Sequence, residues 1–290
     1  MEVAAALAPF DAPPSPWVVT ALEGFGLVGA GLGGGILVYA LGSFALMRRH
    51  VAPRPVTLGL LALLREVVLA GATQVLLPLF YLVGRRLGPK RGAPRRTPIV
   101  LVHGYMQNRV DFISLAWRLR ARGLGPIYGV NYPWFLSIES NARRLAAFVA
   151  RVKRETGAAA VDLVCHSMGG LVALEYMRTH EVDVRRCATI ASPHAGVVWR
   201  GPMLGFGATA LRRGSGLLTA LAGAPLSVPV LSIYSSHDNV VHPKESSQLG
   251  ARGGRDVEVP DVGHLTILFD ERVARHVGDF LEEEDMLRPA

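Results

Sequence analysis

Cysteine is scarce in this chain: 290 residues hold two, Cys165 and Cys187. Two thiols make no disulfide framework. Both fall in stretches that read as core strands, where a free thiol behaves as a small buried hydrophobe. Metal-ligand spacing is lacking as well. The nine histidines are scattered, with no His-x-x-x-His on a helical pattern, so neither a metal nor a cofactor is implied. Acidic residues are few only at the start of the chain. Before residue 97 there are 10 Lys/Arg against 4 Asp/Glu, and afterwards 21 against 19. The net charge of +8 therefore resides mostly in the first third, and the near-neutral remainder argues against a nucleic-acid partner.

Charge is missing altogether from Gly24 to Met47. That run exceeds the roughly 20 residues needed to cross hydrocarbon. Trp17 and Glu23 precede it and Arg48-Arg49-His50 follow, the flanks of a transmembrane helix. A signal peptide would place basic residues before a shorter run. Gly29, Gly31, Gly33 and Gly35 give overlapping Gly-x-x-x-Gly spacings that permit self-association, although glycine is common in membrane helices. After Pro53 and Pro55 a second apolar stretch runs from Val56 to Val83, interrupted by Arg65-Glu66 and by Pro78. Adjacent charges do not face each other on a helix. Two readings stay open: a second span with a packed polar pair, which is favoured, or an interfacial helix with Arg65 and Glu66 turned to water. Arg85, Arg86, Lys90, Arg91, Arg95 and Arg96 then form a basic linker of the kind that stays cytoplasmic. The expected organisation is a short Pro-rich disordered N-terminus (1–16), membrane segments (17–84), the linker (85–96) and a catalytic domain (97–290). The location expected is the inner, cytoplasmic membrane, with the catalytic domain facing the cytosol.

From Thr97 onward strand and helix patterns alternate, the signature of a mostly parallel sheet covered by helices. Helices are predicted over Asp111–Arg122, Ser140–Thr156 and Leu265–Glu284, and strands over Ile127–Asn131, Arg186–Ala191 and Pro229–Tyr234. The organising stretch is Val161–His166, then Ser167, then Met168-Gly169-Gly170. An apolar run feeds a serine in a small-residue turn, and a helical pattern follows. This is the setting of a nucleophile elbow, whose sharp turn exposes the serine hydroxyl and demands small neighbours. Gly169 meets that demand, and Cys165 replaces the earlier glycine of Gly-x-Ser-x-Gly. Taken alone, Ser167 reads equally well as a helix N-cap. Asp238 follows a strand end, and His264 follows the short strand Asp256–Pro260. The chain order Ser, Asp, His is one in which Ser-His-Asp sites occur. His264 would be the general base and Asp238 would orient it. A lone loop histidine usually means nothing, so the set carries the argument. Asp162, in the strand before Ser167, reads as structural.

Val102-His103-Gly104, Cys165-His166-Ser167-Met168-Gly169-Gly170, Ser235-Ser236-His237-Asp238 and Val262-Gly263-His264 together resemble the small bacterial lipases of the α/β-hydrolase superfamily. Ser192-Pro193-His194-Ala195-Gly196 also resembles a lipase segment near the acyl pocket. The resemblance covers roughly residues 95–285 and leaves out the N-terminal third. It implies an α/β-hydrolase fold with a mostly parallel sheet, which would follow the helical transmembrane region expected from the charge pattern. It also implies an oxyanion hole, for which the backbone amides of Tyr105 and Met168 are the candidates, with His103 shaping the loop. The expected activity is that of a membrane-anchored serine ester hydrolase, a lipase or esterase acting on a lipid ester through an acyl-enzyme on Ser167. An acyltransferase using the same triad, or an inactive hydrolase-fold scaffold, would carry the same motifs. Ala195–Ala224 breaks the alternation with apolar and glycine residues. It reads either as a lid or acyl-binding wall, or as an ordinary helix on the sheet.

Overall fold

The computed structural model describes residues 16–51, 53–75, 96–199 and 203–283. The disorder expected of residues 1–15 and nearly all of the basic linker fall outside that description. So do Val83, Pro78 and the end of the second apolar stretch.

Two helices come first, α1 (Pro16–Met47) and α2 (Val56–Val75). A six-stranded sheet follows, made of β1 (Ile99–Val102), β2 (Ile127–Val130), β3 (Val161–His166), β4 (Val184–Ile190), β5 (Val230–Tyr234) and β6 (Arg255–Glu258). Its spatial order is β2-β1-β3-β4-β5-β6, and every neighbouring pair is parallel. Parallel strands need crossovers. These contain α3 (Ile113–Ala121), α4 (Ile138–Thr156), α5 (Met168–His180) and α6 (Gly216–Gly223), with α7 (Glu271–Glu282) closing the chain. Side chains alternate across the strands, so each strand feeds two cores. Val100, Val102, Leu163 and Cys165 face α4 and α5 through Leu145, Val149 and Leu171. Ile99, Leu101, Val164 and Ile233 face α3 and α7 through Leu115, Leu119, Val277 and Phe280. Cys165 and Cys187 are free and buried.

Local chemistry sets the boundaries. Ser137 caps α4 by accepting the Ser140 N–H, and Gly157 ends the helix in the left-handed conformation. The closing helix starts later than the Leu265 expected. A 3-10 turn at Thr266–Phe269 intervenes, and Asp270 caps α7 by accepting the Arg272 N–H. Asp162 is structural, as the sequence suggested: it holds Arg185 through both carboxylate oxygens, at 3.0 and 2.6 Å.

Among the described residues, Asp111 is a buried acid with no cation against it. It closes a capping box with Asn108, yet its Oδ1 finds no hydrogen-bond partner among those residues. Burial pushes its carboxyl up to about 7, against a smaller lowering by the Asn108 amide. A carboxyl whose folded pKa is raised loses stability as pH climbs from its unfolded value through the folded one. Asp111→Asn is therefore expected to stabilise the chain by about 1–2 kcal/mol at pH 8 and to change little at pH 4. Denaturant midpoints at the two pH values are the check, and equal shifts at both would contradict it.

The N-terminal helices do not stand apart from the sheet domain. Phe44, Met47 and Ala62 join α1 to α2, while Ile36, Leu69 and Ala70 enter the core shared with β1 and α7. On α2 the buried residues Ala62, Glu66, Ala70 and Thr73 recur at helical spacing, so one face packs on the domain. The other face exposes Leu58, Leu61, Leu64 and Val68. The expectation that Arg65 and Glu66 share one fate is corrected here. Arg65 points outward, whereas Glu66 is 0 % exposed, covered neither by water nor by its neighbour but by backbone beyond β6. Among the described residues, Val56–Thr73 is long and apolar enough to cross a membrane, with a mean hydropathy of 1.7, and Gly33–Met47 is a shorter apolar stretch.

Candidate active site

Ser167 is the single residue between β3 and α5, and its φ of 53° is left-handed. That conformation costs a non-glycine residue roughly 1–2 kcal/mol. The surroundings hold it there: the Ser167 N–H donates to the Ile190 carbonyl at 2.9 Å. Gly169 is required by the neighbouring strand rather than by its own. A Cβ on Gly169 would come within 2.2 Å of the Val102 carbonyl oxygen, and one on Gly170 within 2.2 Å of Ser192 Oγ. Gly104 fits as closely from the other side, with room for its Cβ closed at 2.8 Å by Ser167 Cβ.

The structure brings Ser167, Asp238 and His264 together from three strand ends. His264 Nε2 lies 2.9 Å from Ser167 Oγ, and His264 Nδ1 lies 2.9 Å from Asp238 Oδ2. The Nδ1–H therefore donates to the carboxylate, leaving the Nε2 lone pair for the serine hydroxyl. Asp238 Oδ1 also accepts the Val240 and Val241 amides, each at 2.8 Å, so the carboxylate cannot rotate freely. Burial alone would lower the His264 pKa. The Asp238 carboxylate outweighs it and holds the imidazole above its ordinary value.

The loop after β1 is built around His103. Its buried ring stacks on Tyr132, with centroids 4.1 Å apart. Its Nδ1–H donates to the Gly104 carbonyl, and its Nε2 accepts the Tyr132 amide. Burial drops its pKa to about 4, so the ring is neutral at pH 7 and shapes the loop. Gln107 Oε1 takes the Gly104 N–H at 2.8 Å, which removes that amide from consideration as an oxyanion donor. The Tyr105 and Met168 amides have no acceptor among the described residues. Donors left open beside a nucleophile are what a developing oxyanion requires.

Four residues that the motifs did not single out hold this arrangement. The buried ring of His166 lies between His264 and Gln107, its Nε2 2.9 Å from the His264 carbonyl oxygen and its Nδ1 2.7 Å from Gln107 Oε1. Asn239 Oδ1 accepts the His264 amide at 2.8 Å. Glu66 accepts the two amides that follow, those of Leu265 and Thr266. For His166 and Asn239 the hint was adjacency to a triad residue; for Glu66 it was a charge inside an apolar helix.

The segment after β4 falls into two parts of different character. In α6, Leu218 and Leu221 pack into the domain core, an ordinary helix on the sheet. Residues 203–207 lie instead over the loop of Tyr105. The Leu204 N–H donates to the Tyr105 hydroxyl, which in turn donates to the Leu204 carbonyl, and the Phe206 N–H donates to the Phe135 carbonyl. Leu204 is 67 % and Phe206 79 % exposed. With Met106, Phe135 and Trp199, also exposed, they make an apolar rim on this side of the site. His194 of the acyl-pocket-like segment is buried, its Nε2 3.1 Å from Thr189 Oγ1.

Comparison with known proteins agrees with this geometry. Residues 99–226 match the alpha/beta hydrolase family. A triacylglycerol lipase of Pseudarthrobacter phenanthrenivorans is 34% identical over 113 residues, covering 36% of this chain and 35% of the lipase. A triacylglycerol lipase of Burkholderia plantarii is also 34% identical over 113 residues, 36% of this chain and 31% of its own. The matched part thus spans about a third of these relatives. Among solved structures, lipase B of Aspergillus fumigatus superposes with a TM-score of 0.59 at 18% identity, over 68% of this chain and 56% of that one. The mature form of a Bacillus licheniformis lipase gives 0.58 at 17% identity, over 67% and 95%. The chain carries an α/β-hydrolase fold, and its matched part is similar in sequence to that family and to lipases.

Proposed function

We propose that this chain is a membrane-attached serine carboxylic-ester hydrolase acting on lipid esters. The observation that carries the reading is the line from Asp238 through His264 to Ser167, with contacts of 2.9 Å at both ends. Ser167 Oγ attacks the ester carbonyl carbon while His264 Nε2 takes its proton. The tetrahedral oxyanion is held by the Tyr105 and Met168 amides. Collapse breaks the bond to the alcohol oxygen, which leaves with the proton from His264, and the acyl group stays on Ser167. Water activated by His264 then releases the acid and restores the serine. This chemistry requires no cofactor.

The lipid part of the proposal is supported by the apolar rim of Leu204, Phe206, Phe135 and Met106 beside the serine and by the lipases among the relatives. Attachment is supported by the outward apolar residues Leu37, Val38 and Leu41 of α1, together with those of α2. An exposed helical face of this kind seats in a bilayer. Arg65 and the basic residues of 85–96 suit anionic lipid on the cytoplasmic side.

The test uses detergent-solubilised full-length protein, a fluorophosphonate and p-nitrophenyl esters of graded acyl length. Ser167 is expected to carry the label by peptide mass spectrometry, and turnover is expected to rise toward long acyl chains presented in micelles. Labelling elsewhere would remove the nucleophile assignment. A preference confined to acetate would remove the lipid substrate. Added long-chain alcohol in the same assay reports any acyl transfer as an ester product.

A further inference from the structure

Beyond β6 the chain turns sharply through Gly263, His264, Leu265 and Thr266 into a short 3-10 turn. Such a start leaves its leading amides without partners of its own. Here all four are taken. The Gly263 N–H donates to Thr266 Oγ1 at 2.7 Å and the His264 N–H to Asn239 Oδ1 at 2.8 Å. The Leu265 N–H donates to Glu66 Oε1 at 2.9 Å and the Thr266 N–H to Glu66 Oε2 at 3.1 Å. The last two acceptors belong to a helix that lies about 200 residues earlier in the chain and outside the α/β sheet domain.

Several further contacts make the attachment specific. Tyr39 of α1 donates its hydroxyl to Glu66 Oε1, and Asn239 Nδ2 donates to Ser43 Oγ of α1 at 2.8 Å. Arg54, between the helices, lies 3.9 Å from Asp261. Gly263 is shaped to this contact: a Cβ there would approach Glu66 Oε2 to 2.6 Å and Asn239 Oδ1 to 2.9 Å. Burying a carboxyl group without partners is costly, and here each oxygen of the buried Glu66 accepts one of these backbone amides.

We infer that Glu66 is a positioning residue of the catalytic centre, and that the α1–α2 pair is a working part of the active site as well as an attachment device. Glu66 touches neither substrate nor the reacting atoms. It fixes the backbone immediately after His264 and so the point from which the imidazole reaches Ser167. A shift of about 1 Å in such a group can cost on the order of 10²-fold in rate. The inference rests on the proposed triad, so its test carries a control for that reading.

Full-length wild type, Glu66→Ala, Glu66→Gln and Thr73→Val would be compared for thermal midpoint, fluorophosphonate labelling rate, and kcat and KM on a soluble short-chain ester. Thr73 lies on the same buried face of α2, and among the described residues its hydroxyl bonds to Leu69 within that helix, so its replacement disturbs α2 while leaving the Glu66 contacts in place. Expected for Glu66→Ala is a fall of about 10- to 100-fold in kcat and in labelling rate at unchanged KM, measured well below the midpoint. Glu66→Gln keeps one carbonyl oxygen and should recover part of the loss. Thr73→Val keeps Glu66 and its acceptors intact and should leave kcat and the labelling rate at the wild-type values. Wild-type kcat in both folded Glu66 variants overturns the inference while the triad stands. If the alanine variant does not fold, the glutamine variant decides by the same criterion. A folded wild type that never labels overturns both readings, and that arm identifies the triad as the point of failure.

Discussion

A chain carrying Ser167→Ala is expected to fold normally and to lose about 10⁶-fold in ester turnover, the scale seen when a hydrolytic nucleophile is deleted. The substitution removes one oxygen. It leaves the left-handed backbone at φ 53°, which alanine tolerates no worse than serine, and it retains the Ser167 N–H donation to Ile190. Stability should therefore stay within about 0.5 kcal/mol, because no buried partner other than His264 Nε2 is orphaned. The Tyr105 and Met168 amides would remain and could still polarise a bound carbonyl, so a trace of catalysis over water should persist. The measurement is kcat on a p-nitrophenyl ester beside fluorophosphonate labelling. Turnover above a hundredth of wild type, from protein free of contaminating esterase, would mean that Ser167 is not the nucleophile.

Asp238→Asn comes next in expected effect, about 10⁴-fold in kcat, and the structure gives the reason atom by atom. Asp238 Oδ1 accepts two amides, from Val240 and Val241. An asparagine must therefore turn its carbonyl oxygen toward them, which leaves its NH₂ facing His264 Nδ1. An N–H cannot accept from an N–H, so the imidazole would flip its tautomer and carry the proton on Nε2. That nitrogen would then donate toward Ser167 and could no longer take its proton.

The same variant has a pH signature. In the wild type, activity requires neutral His264, and the Asp238 carboxylate raises its pKa against the lowering by burial. The acid limb of kcat/KM should thus lie above the value of an ordinary histidine, about 6.5, with rate lost as pH falls through it. Removing the carboxylate charge lets burial dominate. The acid limb of Asp238→Asn should move to lower pH while its plateau drops. A limb at unchanged pH would show that a group other than His264 controls the profile.

The meeting of Ser167, His264 and Asp238 was legible because each sits at a strand end with a local motif around it, and the order along the chain did the rest. The alternation of strand and helix patterns likewise foretold the parallel sheet. What could not be read were contacts between distant segments. His166 reaches the carbonyl of His264, and Glu66 reaches Leu265 and Thr266. No spacing rule encodes a bond across 199 residues. Arg65 and Glu66 looked alike in the sequence because helix periodicity assigns faces but not partners. The segment after β4 was divided between two readings because its apolar residues are not of one kind: Leu218 and Leu221 fill the core, while Leu204 and Phe206 stay in the open.

The close approach of Gly104, Ser167 and Gly169 divides the molecule into parts with unequal freedom to vary. Gly169 is pressed against the carbonyls of Val102 and His103, and Gly104 against Ser167. Ser167 and the loop after β1 therefore form one block, in which even a methyl group has no room. The rim residues Leu204, Phe206 and Phe135 carry no such restriction, since their side chains project outward. Drift in a gene under selection for a different ester would accumulate on that rim, while the glycine block stayed as it is. A mutational library built to retune acyl-chain preference should spend its diversity there and leave residues 102–104 and 167–170 untouched.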